Sequence, residues 1–165
     1  MRKIFILIIV LGLLVGGFYA LNSYIYNEKQ NGGDYQGVKL YFYNPSLDQG
    51  VGGVQCTKAG LVEVTRTIPK TITPLEDTIK LLLKGELTEE ERSQGITTEF
   101  PLSGVSLTNV NLKEGVATLE FADPLNKTGG GSCRIAILWA QIETTAKQFP
   151  TVKEVKFIPE ELFQP

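Results

Sequence analysis

Apolar and polar positions divide the chain into one long apolar run followed by a series of short periodic segments. The run, Ile4 to Leu21, carries no charge and follows a basic start, Arg2-Lys3. At about 1.5 Å per residue, a helix over it comes close to the roughly 30 Å hydrocarbon core of a bilayer. The pattern predicts one N-terminal transmembrane helix, residues 4–21. Residues 1–3 are then cytoplasmic by the positive-inside bias, and all that follows is extracytoplasmic. A cleaved signal peptide has the same basic-then-apolar layout, with a cut after Gly17 as its acceptable site; the uncleaved signal anchor is the expectation here. No cysteine closely follows the run, so a lipoprotein anchor is not expected. Residues 22–37 end in the polar, glycine-containing stretch NEKQNGGDYQG and read as a tether, leaving 38–165 as one extracytoplasmic domain.

Within that domain the periods alternate between two and 3.6 residues. Val38 to Tyr43 alternates, is rich in aromatics and reads as a strand ended by Asn44-Pro45-Ser46. Leu61 to Ile68 reads as a second strand, with Val62, Val64 and Ile68 on one face. Thr73-Pro74-Leu75-Glu76 then offers an N-cap, a proline at the first helical position and a capping-box glutamate. Leu75, Ile79, Leu82 and Leu83 continue as one helical stripe that stops at Gly85. A second box, Thr88 to Glu91, opens a short turn ending by Gly95. Val105–Leu112 and Val116–Phe121 flank Lys113-Glu114-Gly115 and read as a β-hairpin. Ile135, Leu138, Trp139, Ile142, Ala146 and Phe149 mark the strongest helix, with Ser132 as N-cap and Pro150 as its end. Val152 to Ile158 supplies a last strand and Glu160 to Pro165 a tail. Two amphipathic helices each need one face covered. The expected fold is therefore α+β, a two-layer sandwich of one shared mixed β-sheet with both helices on one side.

Charge and composition mainly exclude. Setting aside Arg2 and Lys3 from the 16 basic residues leaves 14 against 18 acidic ones, a net charge of −4 after the apolar run. With no basic stripe to pair phosphates, a nucleic-acid partner is not expected. The chain has no histidine, which removes Ser-His-Asp and Cys-His catalysis and the commonest zinc ligand together. No metal and no cofactor is expected, and no catalytic residue is assigned. Glu99, Glu120 and Asp123 lie near strand ends, where a glycosidase-like carboxylate pair would have to assemble. The loop TGGGSCR enters a helix and could turn the amides of Gly130, Gly131 and Ser132, with Arg134, toward an anion, although it lacks the lysine and spacing of a nucleotide P-loop. Asn126-Lys127-Thr128 also matches a glycosylation acceptor. Two cysteines, Cys56 and Cys133, follow the apolar run. In an oxidising compartment they are expected to form one disulfide; two free thiols, or a reactive Cys133 at a helix start, are the competing readings.

The order of these segments resembles the sporulation and spore germination domain, also called the GerMN or Germane domain. The resemblance is carried by VKLYFYN, by TPLEDTIKLLLKGELTEEERSQGITTEFP, by VNLKEGVATLEF and by GGGSCRIAILWAQIETTAKQFPTVKEVKF, covering about Val38 to Ile158. It implies a bacterial envelope protein with an extracytoplasmic, non-enzymatic α/β module, similar in layout to ring-building motifs of secretion and sporulation complexes. It brings no catalytic residues. The chain departs from the family pattern at Glu86, where many members have proline, in its IPEELFQP ending, and in its cysteine pair. The expectation is a single-pass protein of the cytoplasmic membrane whose GerMN-like domain binds or assembles with an envelope protein, peptidoglycan or further copies of itself, through an exposed sheet edge. Two other classes remain open: an envelope enzyme acting on cell-wall glycans through a carboxylate pair, and a small-ligand or anion receptor using the glycine-rich loop before Cys133.

Overall fold

The computed structural model describes residues 16–17, 34–49 and 55–163. The predicted membrane span lies outside them apart from Gly16 and Gly17, and among the described residues no helix is long and apolar enough to cross a membrane. Residues from Gln36 on form one compact unit. Its elements are β1 (Tyr35–Tyr43), β2 (Leu61–Pro69), α1 (Pro74–Leu83), α2 (Glu89–Ser93), β3 (Ser106–Lys113), β4 (Val116–Ala122), α3 (Ser132–Lys147) and β5 (Glu154–Ile158), with a one-turn helix at Lys58–Gly60.

The fold is α+β, with its strands in two sheets rather than the one expected. β3, β4 and β5 form a mixed sheet, β3–β4 antiparallel and β4–β5 parallel. β1 and β2 form a separate pair. The reason is a long-range contact. The outer edge of β1, at Lys39, Tyr41 and Tyr43, is occupied by Thr145 of α3, by Gln148 just past its end and by Thr97, so no strand of the larger sheet can dock there.

Both long helices pack against each other, α1 also against β3 and α3 also against β5. The shared core holds Leu40, Phe42, Ile79, Leu82, Leu119, Leu138 and Ile142, all essentially inaccessible to water. Alternation places Ala117, Leu119 and Phe121 of β4 on the helix side, with Val155 and Phe157 beside them on β5. Phe163 departs from the tail reading. It is buried, and its ring centroid lies 5.2 Å from that of Phe121 and 5.5 Å from that of Phe157, closing the core end. Truncating such a ring typically costs about 3–5 kcal/mol.

Capping explains the helix ends. Thr73 precedes Pro74 as expected but makes no side-chain cap bond; Thr71 and Thr73 donate instead to Asp77, so the first capping box does not close. The box at Thr88 and Glu91 closes in both directions. At Gly85 the chain turns left-handed, φ +64°, and a Cβ would overlap the Phe100 carbonyl, so α1 can end this way only at glycine. The N-cap of α3 is Gly131, and Ser132 is the first helical residue rather than the cap.

Candidate functional site

Among the described residues, two surface regions carry features suited to recognition. The first lies where the β1–β2 connection meets the start of α3. Cys56 and Cys133 are joined there in a disulfide with Cα atoms 5.1 Å apart, tying segments 77 residues apart in sequence. Beside it, Asp48 is buried and accepts from Tyr43 Oη (2.6 Å), Thr57 N (2.7 Å) and Thr57 Oγ1 (2.5 Å). The Thr57 hydroxyl, then that of Tyr43, stabilises the charged form and holds the Asp48 carboxyl below its ordinary range. Burial, reinforced by the bond to Asp48, pushes the Tyr43 hydroxyl above its own. Lys58 follows at once, pairing with Glu143 of α3 and lying 5.4 Å from the Trp139 ring centroid. Trp139 is partly buried against the core and stacks its cation on the outside. Burial would raise Glu143, but Lys147 (2.6 Å) and Lys58 hold it below the usual carboxylate range.

The residues singled out for anion binding meet here. Arg134 donates to Glu99 Oε2 (2.5 Å), to Lys127 O (3.0 Å) and to Gly129 O. Its charge and fork are thus committed to closing the loop of Gly130 and Gly131 over the helix start, next to Ser132. The acids near strand ends are likewise occupied. Glu99 holds Arg134, and Glu120 accepts from Asn109 Nδ2 (3.0 Å). Asp123 accepts from Lys127 N, Thr128 N and the Thr128 hydroxyl, each at 2.8 Å. Burial would raise Asp123, and those donors, led by Lys127 N–H, bring it below its ordinary value. The Thr128 hydroxyl of the glycosylation pattern is buried in that turn. A depression of about 120 Å³ lies between Tyr43, Thr98, Leu138 and Gln141. It is small beside the roughly 300–1,000 Å³ of small-molecule sites. No group of three or more metal-ligating side chains occurs among the described residues.

The second region differs in kind. A groove of about 210 Å³ runs between the start of α1 and the outer strand β3, walled by Ile72, Leu75, Val110, Leu112 and Phe149 with Glu76 at its rim. Ile72 is fully exposed and Leu112 is 41% exposed. Beside the groove, β3 is a terminal strand of its sheet, and among the described residues nothing pairs with its outer edge. Sequence reading missed the groove because Ile72 sits between two threonines, outside every periodic stripe.

Residues 39–160, well over half the chain, match the family model described as Germane, sporulation and spore germination. The chain belongs to this family. Its structure is similar to the first GerMN domain of the sporulation protein GerM from Bacillus subtilis, with a TM-score of 0.51 and 18% identity, over 74% of this chain and 80% of that one. It is similar to the tandem GerMN domains of the same protein at a TM-score of 0.50 and 19% identity, over 75% of this chain and 38% of that one. At such identity the likeness establishes a shared GerMN fold. No curated protein matches the chain.

Proposed function

We propose that this chain is a membrane-anchored GerMN module of the bacterial cell envelope that works by binding or assembly rather than catalysis. The observation that carries the reading is the contrast in what each region leaves free. Around the disulfide, charged groups are consumed in holding the fold. At the β3 side an apolar groove and an unpaired strand edge stand together, the combination that accepts another polypeptide. In this reading the apolar run at residues 4–21 is the anchor and the domain lies outside the cytoplasm, as the basic start before the run favours. The partner in this reading is an envelope protein, peptidoglycan or a further copy of the chain. The commitment of Arg134, Glu99, Glu120 and Asp123 to neighbours on the same domain favours this reading over an anion receptor or a glycan hydrolase.

A photo-crosslinking residue placed at Ile72 in the full chain, in its own membrane, tests the proposal. Adducts are expected from Ile72 and Leu112, and none from the exposed Lys84 beyond the far end of α1. Equal yield at all three positions, or none at any, would count against a binding face here.

A further inference from the structure

We propose that two copies of this domain pair antiparallel through the outer edge of β3, on a two-fold axis at Asn111, so that their three-stranded sheets continue into each other. The inference rests on the assembly reading above and names its partner, a second copy of the chain.

The hairpin fixes which groups are available. Glu114 and Gly115 both have positive φ, 53° and 87°, making a two-residue turn that closes on the pair Lys113–Val116. In such hairpins the closing pair is the hydrogen-bonded one, and the pairs alternate from there. Lys113 and Asn111 therefore bond to β4, while the N–H and C=O groups of Leu112 and Val110 point away from it. At the other end the register shifts between Leu107 and Asn109, and a bulge ends the regular edge. The turn and the bulge bracket five residues, Asn109 to Lys113, whose midpoint is Asn111.

That segment is complementary to itself. Turned about Asn111, Val110 falls opposite the second copy's Leu112, and Leu112 opposite its Val110. Their outward groups then meet in about four backbone hydrogen bonds. The only charge in the segment, Lys113, falls opposite Asn109 and not opposite another lysine, so no like charges face each other. Moving the axis to Leu112 leaves only Asn111–Lys113 to pair, because the turn intervenes. Apolarity agrees with this register. Val110 and Leu112 share the helix-side face with Ala117 and Leu119, their partners on β4. Pairing lays each against its counterpart and joins the two grooves, covering the exposed Leu112. β1 offers no such site, since along its outer edge the N–H and C=O of Lys39 and of Tyr43 and the N–H of Tyr41 are already bonded.

Cysteine crosslinking of the full chain in its membrane tests the register. Asn111 faces its own counterpart across a pair without backbone bonds, with Cα atoms about 4.5 Å apart, within disulfide reach. Under mild copper–phenanthroline oxidation, Asn111→Cys is expected to give about tenfold more disulfide dimer than Lys113→Cys, whose copies lie several residues apart. Chains carrying Asn109→Cys and Lys113→Cys are expected to crosslink when mixed, though neither does so strongly alone. All three positions are exposed, and a native Cys56–Cys133 bond, read by mass before and after reduction, verifies folding in each variant. Dimer from Asn111→Cys no greater than from Lys113→Cys, in folded chains, overturns the proposal. If Ile72 meanwhile yields adducts with other envelope proteins, the binding reading stands and only the partner named here falls; if Ile72 yields none, both fall.

Discussion

β1 and β3 are both strands with one side turned away from their sheet partner, and the domain treats those sides in opposite ways. Along β1, every second residue is closed. Lys39 N–H donates to Gln148 Oε1 (2.7 Å), and Gln148 Nε2 returns a bond to Lys39 O (2.6 Å). Tyr41 N–H donates to Thr145 Oγ1 (3.1 Å), and Tyr43 exchanges bonds with Thr97 at 3.2 and 2.7 Å. The side chains of Thr145 in α3 and Gln148 at its C-terminal end imitate a neighbouring strand. Along β3, among the described residues, Val110 and Leu112 have no such cover, and an apolar groove lies alongside. A sheet edge left bare is a hazard that folds commonly suppress. The domain covers one edge with polar side chains and leaves another bare beside apolar surface, and the proposed partner site rests on that contrast.

The comparison can be broken from the sealed side with the largest effect. Replacing Cys56 and Cys133 by serine removes the crosslink between the β1–β2 connection and α3. The loop of 77 residues assigns it about 4 kcal/mol in the chain-entropy model. Denaturant unfolding of the variant, or of the wild type with reductant, is expected to show a loss of that order. Next comes Thr145→Val, which leaves the part-buried Tyr41 N–H without an acceptor and is expected to cost about 1–3 kcal/mol. It should also make the protein prone to self-association that depends on β1, detectable by light scattering and by new crosslinks at Tyr41.

A smaller effect is expected at the bidentate pair of Arg66 and Glu91, whose two bonds are each 2.7 Å. The guanidinium, chiefly, holds Glu91 below its ordinary range, so this stabilisation is present at neutral pH and fades as pH falls through the lowered value. Glu91→Gln should cost about 1–2 kcal/mol at pH 7 and progressively less below about pH 4, as the wild type itself loses the interaction on protonation of Glu91. Smallest in stability, and sharpest for the comparison, is Leu112→Lys on the open side. It should change stability by less than about 0.5 kcal/mol. It should nevertheless abolish the Asn111→Cys dimer, because two charges would enter the joined groove.

The family and most elements are legible in the sequence because their signals are local. The hairpin, the closed capping box at Thr88 and the stripe of α3 depend on neighbours within a few residues, and the structure has them within a residue or two. The division into two sheets was not legible, since it depends on Gln148 and Thr145 meeting β1 more than a hundred residues away. Nor was the role of Phe163, a lone aromatic in a polar tail whose partners are distant. Ser132 was displaced as cap by one position because Gly131 already has the extended backbone a cap requires. The candidate site was half legible. An exposed edge was expected, but that the edge of β1 is covered follows from where α3 lands, and the groove beside β3 depends on Ile72, whose environment no short window contains.

Amide-resolved hydrogen exchange on the full chain, at a range of protein concentrations, tests the central claim most directly. The amides of Lys39 and Tyr41 should be protected at every concentration, held by Gln148 and Thr145. Those of Val110 and Leu112 should exchange rapidly when dilute and gain protection as concentration rises. Protection of Val110 and Leu112 that does not change with concentration, whether high or absent, would contradict an open edge that closes on a second copy.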